Sequence, residues 1–141
     1  MRAIILAGGK GVRLAPLTDV IPKPLVPIGY RAILWHLMKY YAHFGHKDFI
    51  LCLGWKGHVI REHFLNHNDC LSNDFVLHTN GRKVDLLQRD IDDWTITFID
   101  TGQTANIGQR LKAVEKYLEG EEVFLANYTD GLTDVNLSDL V

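Results

Sequence analysis

The sequence predicts an α/β domain built on a mostly parallel β-sheet with helices on both faces. The first observation behind this prediction is that short apolar runs alternate along the chain with stretches of helical periodicity, an order typical of parallel sheets. The second is size, since 141 residues, 47% of them apolar, suffice for one domain with its own core. We therefore interpret residues 1–141 as a single domain.

The strands of this sheet are predicted from four apolar runs, at residues 2–7, 48–53, 94–99 and 123–128. Helices are predicted where apolar residues recur at helical spacing, at residues 33–44, 56–65 and 107–118. Gly45 and Gly120 follow two of these helices and are typical stop signals. The polar stretch 66–93 predicts only a hairpin that turns at Asn80–Gly81.

Two segments directly follow predicted strands and are the candidate binding segments. Ligands of open parallel sheets gather beyond the carboxyl ends of the strands. One segment is a long loop at residues 8–29, which contains all four prolines, and loops of that length in compact domains are usually functional. The other segment is Thr129–Asp130–Gly131, which follows the last strand.

The first segment begins with Gly8–Gly11, where three glycines and a lysine are typical of backbone that approaches a phosphate closely. A tight turn is the alternative, because glycine marks turns generally. The dinucleotide fingerprint would need glycine at Leu14, and the Walker loop would need Ser or Thr at Gly11. Arg13 and Lys23 favour a phosphate cradle of another kind, because two cations on a proline-stiffened loop can meet several phosphate charges.

These residues are part of a longer composite motif. The stretches GGKGVRLAPLT at 8–18 and PKPLVPI at 22–28 resemble the signature of the sugar-1-phosphate nucleotidyltransferases. Other stretches resemble the cytidylyltransferase branch of that family, and they are ILWH at 33–36, DFI at 48–50, GWKG at 54–57, DTG at 100–102 and YTDG at 128–131.

The resemblance implies a Rossmann-like fold of the nucleotide-diphospho-sugar transferase type. It implies CTP and glucose 1-phosphate as substrates, CDP-glucose and pyrophosphate as products, and Mg²⁺ as cofactor. The same chemistry with UTP, dTTP or GTP is one alternative, and a nucleotide-binding or regulatory module without turnover is another. The family extends well past the position of Val141, so we expect the domain to be truncated there. The sugar pocket and a second metal ligand are expected beyond that point, and this chain alone is expected to bind nucleotide weakly without turnover.

The resemblance also implies the site residues by position. Arg13 and Lys23 are the expected catalytic residues, and Asp130 is the expected Mg²⁺ ligand. Besides Arg13 and Lys23, the expected nucleotide-binding residues are Leu6, Ala7, Gly8, Gly9, Gly11, Val12, Arg110 and Thr129. The chain departs from the family pattern where Val12 replaces the usual Thr, where Ile107 and Gln109 precede Arg110, and where Thr129 precedes Asp130.

Charge and composition argue against several other classes of protein. A net charge of -2 argues against a general nucleic-acid binder. No apolar run approaches the roughly 20 residues that a membrane-spanning helix needs, and the start of the chain does not resemble a signal peptide. Cys52 and Cys70 make no disulfide framework. We therefore expect a cytoplasmic protein with no nucleic-acid or membrane partner, and we leave a homo-oligomer open.

A zinc site is a less favoured hypothesis for the middle of the chain. His63 and His67 are four residues apart on a predicted helix, and Cys70 follows them. Histidines that serve ordinary packing or surface roles are the commoner outcome.

Overall fold

The centre of the fold is a four-stranded parallel sheet, seen in a computed structural model that describes residues 1–11, 16–91 and 93–141. Numbered along the chain, the strands are β1 Ala3–Ala7, β2 Pro27–Ile28, β3 Arg31–Ala32, β4 Asp48–Leu53, β5 Phe75–His78, β6 Lys83–Leu86, β7 Thr95–Asp100 and β8 Leu125–Tyr128. The sheet order is β7-β4-β1-β8, and all three pairings are parallel. The predicted fold class is confirmed.

Five α-helices accompany the strands in the described part of the chain. They are α1 Leu17–Val20, α2 Ile33–His43, α3 Gly57–Leu65, α4 Asp69–Ser72 and α5 Ile107–Val114, with 3-10 turns at Lys23–Leu25, Glu115–Tyr117 and Leu137–Asp139. The helix predicted over 107–118 therefore ends earlier and tightens into a 3-10 turn. Its start is fixed by a capping box, in which Asn106 and Gln109 satisfy each other's backbone N–H groups.

Alternating side chains of β1 face two separate cores. Ala3, Ile5 and Ala7 lie on the face that is covered by α2 and α3. Ile4 lies on the opposite face, where Val114 of α5 covers it. Because helices cover both faces, the central strands β1 and β4 are apolar along nearly their whole length, which is the pattern typical of buried parallel sheets.

The proline-rich segment 8–29 is not the single loop that the sequence predicts. It contains α1, the 3-10 turn Lys23–Leu25 and the first strand of the small antiparallel pair β2-β3. Pro24 suits the first positions of the turn, because its φ angle is already fixed near a helical value. The turn is closed by hydrogen bonds from Leu25 N to Pro22 O and from Val26 N to Lys23 O. Proline here builds short elements rather than preventing them.

The predicted hairpin is confirmed as the antiparallel pair β5-β6. Gly81 and Arg82, both with positive φ, form its turn. Among the helices of the described ranges, none is long and apolar enough to cross a membrane.

The stability of the fold should depend on the centre of the sheet. Leu51 of β4 is fully buried, whereas Leu65 at the end of α3 is 81% exposed. We predict that Leu51→Ala lowers the free energy of unfolding by about 2–5 kcal/mol, because it leaves a cavity in a packed core. The matched control Leu65→Ala should change it by less than about 0.5 kcal/mol. Urea unfolding measures both, and equal effects would mean that the core does not lie at β4.

Candidate functional site

The parallel sheet brings the candidate binding segments to one edge. Leu6 of β1 is paired with Tyr128 of β8, so the glycine loop and Thr129–Asp130 leave the sheet side by side. A cavity of about 260 Å³ lies there. It is lined by the ends of β1 and β8 and the residues after them, by the turn at Lys23, and by α5 with the residues before it. The lining residues are Leu6, Ala7, Gly8, Gly9, Gly11, Lys23, Pro24, Ala105, Ile107, Arg110, Tyr128, Thr129 and Asp130.

Most of the predicted site residues line this one cavity, although their positions span more than a hundred residues of sequence. Two of them, Val12 and Arg13, lie outside the described residues. Sequence reasoning missed Pro24, Ala105, Ile107 and Tyr128 as lining residues. Only their positions in the sequence could have indicated them. Pro24 and Tyr128 are adjacent to predicted residues, and Ala105 and Ile107 lie three to five residues before Arg110.

The two glycines that follow β1 have different surroundings. A Cβ atom built on Gly8 would lie 2.0 Å from Nη1 of Arg110, so a larger residue there would collide with the guanidinium. A Cβ atom built on Gly9 would meet no described atom within 4 Å, and Gly9 is exposed. A side chain at position 8 would therefore have to displace the guanidinium of Arg110, whereas nothing described crowds Gly9.

Arg110 reaches from α5 into the loops that follow three strands. Its Nη1 donates to the carbonyl of Leu53 at 3.1 Å and to Thr101 Oγ1 at 2.6 Å, and its Nη2 donates to the carbonyl of Gly8 at 3.2 Å. The side chain lies at the cavity although the residue is only 6% exposed. The structure thus places a buried positive charge beside the cavity.

Lys23 and Asp130 form an ion pair across the cavity wall. Lys23 Nζ lies 2.5 Å from Asp130 Oδ2, and both side chains remain partly open to solvent. The proline-rich turn carries the cation, and the end of β8 carries the carboxylate. The pair joins two segments that the sequence separates by 107 positions, and it keeps both charges at the cavity.

A second group of cations lies beside the glycine loop. The Trp55 ring has Lys10 Nζ at 5.6 Å and Lys56 Nζ at 5.7 Å from its centroid, within cation–π range. Lys56 also donates hydrogen bonds to the carbonyls of Asp19 and Val20 at the end of α1. Together with Lys23 and Arg110, these lysines place four cations near the carboxyl edge of the sheet, where they can attract an anionic ligand.

The carboxylate of Asp130 suits a hard divalent cation such as Mg²⁺. A cation, the ammonium of Lys23, already lies against its Oδ2 atom, and carboxylate oxygen is a preferred ligand of that metal. Among the described residues, no group of three His, Cys, Asp or Glu side chains could hold a metal. A divalent cation at Asp130 would therefore need oxygen ligands from water or from a bound phosphate.

The zinc hypothesis gains no support in the described part of the chain. His63, His67 and Cys70 do not form a metal-binding group there. His67 Nε2 instead lies 3.4 Å from the carboxylate of Asp69. Burial, and then the neighbouring His67, lowers the pKa of His63.

Cys52 is buried and close to Arg110, but its environment does not activate it. Burial raises the pKa of its thiol to about 11, although the charge of Arg110 acts in the opposite direction. Because the thiolate is the reactive form, burial disfavours reaction of this thiol near neutral pH.

Several known proteins resemble this chain in sequence or in fold. The family model described as nucleotidyl transferase matches residues 2–130. Glucose-1-phosphate cytidylyltransferases of Salmonella typhimurium and Salmonella typhi are each 44% identical over 137 residues, which is 97% of this chain and 53% of theirs. The crystal structure of HddC from Yersinia pseudotuberculosis complexed with GMP-PN is similar in fold, with a TM-score of 0.71, 24% identity and coverage of 99% of this chain and 52% of that one. The chain thus spans about half the length of the curated relatives it matches.

The charges of the cavity predict how a simple anion binds. Tripolyphosphate has linked phosphates and no base or sugar, and without divalent cations it should be repelled by Asp130 and should compete with it for Lys23. We predict that Asp130→Asn tightens metal-free tripolyphosphate binding about threefold to tenfold, because a like charge is removed from a partly screened site. Calorimetric titration measures this change. Asp139→Asn, which changes an exposed carboxylate outside the cavity, is the control, and equal affinities of all three proteins would contradict the prediction.

Proposed function

The chain belongs to the nucleotidyl transferase family, and from that premise we propose that it transfers a nucleotidyl group from a nucleoside triphosphate to a sugar 1-phosphate. The proposed nucleotide is CTP, and the proposed sugar phosphate is glucose 1-phosphate, so that the products are CDP-glucose and pyrophosphate. The glucose-1-phosphate cytidylyltransferases that match nearly the whole chain support this choice of substrates.

One observation carries the proposal. The glycine loop, the cation Lys23, the buried cation Arg110 and the carboxylate Asp130 come from four separate parts of the chain and line the same cavity. A cavity with exposed backbone, cations and a carboxylate fits a polyphosphate that arrives with a divalent cation. It lies at the carboxyl edge of a parallel sheet, where such folds bind nucleotides.

The proposed reaction needs positioning and charge more than acid or base catalysis. An oxygen of the sugar phosphate forms a bond to the α-phosphorus of the triphosphate, and the bond from that phosphorus to the leaving pyrophosphate breaks. The attacking oxygen is already anionic near neutral pH, so no side chain has to remove a proton. The lining residues that the structure describes match this requirement, since they contribute cations and a carboxylate but no histidine.

Lys23 is the proposed catalytic cation. Its ammonium lies at the cavity wall, where it can offset the repulsion between the incoming phosphate and the triphosphate. Before substrate binds, Lys23 is paired with Asp130. A phosphate that replaces this carboxylate substitutes one anion for another, so Lys23 contributes little to the affinity for substrate. A contribution of Lys23 should therefore come mainly in the transition state, where the charge is greatest. Arg13, which lies outside the described residues, is proposed to act with Lys23 on the triphosphate.

Asp130 is proposed to hold Mg²⁺ together with the phosphates. When bound, the ion supplies positive charge that polarises the α-phosphate. The chain's own residues then divide the work. The amides of the glycine loop would bind phosphate oxygens, and Leu6, Ala7 and Thr129 would line the nucleotide.

The function is tested by binding and turnover with a panel of substrates. Calorimetry should show that CTP with Mg²⁺ binds more tightly than UTP, dTTP or GTP. Release of pyrophosphate on adding glucose 1-phosphate, and not on adding other sugar phosphates, would support the transfer reaction. A preference for another triphosphate would replace CTP as the proposed substrate and leave the proposed reaction unchanged. Failure to bind any nucleoside triphosphate would overturn the proposal.

A nucleotide-binding or regulatory module is the second candidate. The described cavity lining would also serve binding alone, because backbone amides, cations and a carboxylate hold a nucleotide whether or not it reacts. In a protein of the relatives' full length, nucleotide binding without pyrophosphate release for every sugar phosphate tried would favour this candidate over the transferase.

The metal proposal predicts a specific response of Asp130→Asn. In the unmodified chain, Mg²⁺ should tighten CTP binding about tenfold or more, because it shields the phosphates from the carboxylate. In Asp130→Asn this enhancement should fall to about twofold or less. If Asp130 served only the turn before Gly131, the variant would melt at a lower temperature and keep the full response to Mg²⁺. Titrations of CTP with and without Mg²⁺, alongside thermal unfolding, separate the two outcomes.

A further inference from the structure

Arg110 connects the ends of three strands through groups that carry no net charge. Its acceptors are the carbonyl after β1, the last carbonyl of β4 and a hydroxyl just after β7, in Gly8, Leu53 and Thr101. The Leu53 carbonyl also accepts from Thr101 N at 2.9 Å and from Thr101 Oγ1 at 2.7 Å. We call this cluster of Gly8, Leu53, Thr101 and Arg110 the strand-end junction.

We infer that Arg110 is a positioning residue, which fixes the backbone of Gly8 and thereby the direction of the Gly9 amide that faces the ligand. The part that concerns the ligand rests on the proposed function. The family resemblance places Arg110 at the nucleotide, and the strand-end junction gives it a distinct role through the glycine loop.

The peptide bond between Gly8 and Gly9 links Arg110 to the Gly9 amide. The Gly8 carbonyl accepts from Arg110 Nη2 at 3.2 Å and from Trp55 N at 3.1 Å. In a planar trans peptide, the carbonyl of one residue and the N–H of the next point in opposite directions. Two donors that hold the Gly8 carbonyl therefore hold the Gly9 N–H as well, and they point it away from the strand-end junction. Gly9 is exposed and lines the cavity, so this N–H can serve a phosphate.

Glycines at two positions make the strand-end junction possible. A Cβ atom on Gly8 would lie 2.0 Å from Nη1 and 2.4 Å from Cζ of Arg110. A Cβ atom on Gly54 would lie 2.7 Å from the Gly8 carbonyl oxygen and 2.8 Å from the Gly102 carbonyl oxygen. All four distances are shorter than those that real Cβ atoms show. The guanidinium of Arg110 thus occupies the space that a side chain at position 8 would need, whereas nothing described crowds Gly9.

The charge of Arg110 is held by dipoles rather than by an acid. Among the residues that the structure describes, no carboxylate pairs with its guanidinium. A buried charge is stable only where hydrogen bonds replace its water, and the strand-end junction provides three. Lysine, with a single nitrogen, would keep the charge but could not reach three separate acceptors in this planar arrangement.

The experiment is a double-mutant cycle between Gly8 and Arg110, with thermal unfolding as its first measurement. Gly8→Ala alone should lower the midpoint by about 5 °C or more, because the methyl group displaces the guanidinium. In an Arg110→Ala background, the same change should lower it by less than about 2 °C, because the obstacle is gone. Additive effects would overturn the inference, since they would mean that Gly8 is glycine for another reason.

The matched control is Gly9→Ala, one position away in the same loop. It should leave the midpoint within about 2 °C of the unmodified chain, since a Cβ there meets nothing described. This comparison keeps Arg110 in place, so it also decides the steric claim if Arg110→Ala does not fold. Equal losses for Gly8→Ala and Gly9→Ala would contradict the inference.

The second measurement is CTP affinity together with the Gly9 amide resonance. It distinguishes a positioning role of Arg110 from an effect of its charge and from an effect on folding stability. Arg110→Lys keeps the charge, and Thr101→Val removes one acceptor of the strand-end junction. Both should weaken CTP binding about tenfold at a temperature where each variant is fully folded, and both should shift the Gly9 amide resonance while leaving the distant Gly120 resonance in place. Unchanged affinity and an unchanged Gly9 resonance in Arg110→Lys would show that the charge alone matters. If the unmodified chain binds no triphosphate, the proposed function fails, and the unfolding cycle still decides whether Gly8 and Arg110 are coupled.

Discussion

Parallel pairing of β1 with β4 and β8 is the constraint on which the rest of the structure depends. Parallel strands cannot be joined by tight turns, so each connection crosses over the sheet and every strand ends at the same edge. The segments that follow β1 and β8 thereby lie side by side, although they are far apart in the sequence. The two apolar cores stabilise this arrangement, because they bury both faces of the strands and leave polar backbone only at the ends.

The electrostatics of that edge follow from the same arrangement. Two cations are placed there in different ways. Arg110 is buried, and carbonyl and hydroxyl oxygens hold its guanidinium in place. Lys23 is partly exposed and paired with Asp130, so its charge is exchangeable. A partly exposed ion pair is worth little to folding, typically less than about 1 kcal/mol, and can be opened by a ligand at small cost. The site thus has one cation that hydrogen bonds hold in place, Arg110, and one that a ligand can separate from its carboxylate, Lys23.

The sequence predicted the elements of the sheet well and the details of the loops less well. Hydrophobic runs gave β4 at its observed bounds, because a strand buried on both faces is apolar throughout. The stop at Gly45 was predictable, because its φ of 85° suits glycine at the end of a helix. The short elements within residues 8–29 were not predictable by periodicity, since elements of two to four residues are too short to show any. The membership of the site was predicted through the motif, whereas Ala105 and Ile107 carry no chemical signal of their own.

The glycines of the loop mark the limit of sequence reasoning most clearly. In the sequence Gly8 and Gly9 are equivalent, and both are explained by the approach of a phosphate. In the structure the space beside Gly8 belongs to Arg110, which is 102 positions away in the chain, and the space beside Gly9 is open. No local pattern could separate them, because the acceptors of Arg110 include two backbone carbonyls, which every residue possesses. A glycine-rich motif therefore combines two requirements, one set by the ligand and one set by the packing behind the loop. The packing requirement is visible without a ligand, because it depends on which atoms lie against each glycine.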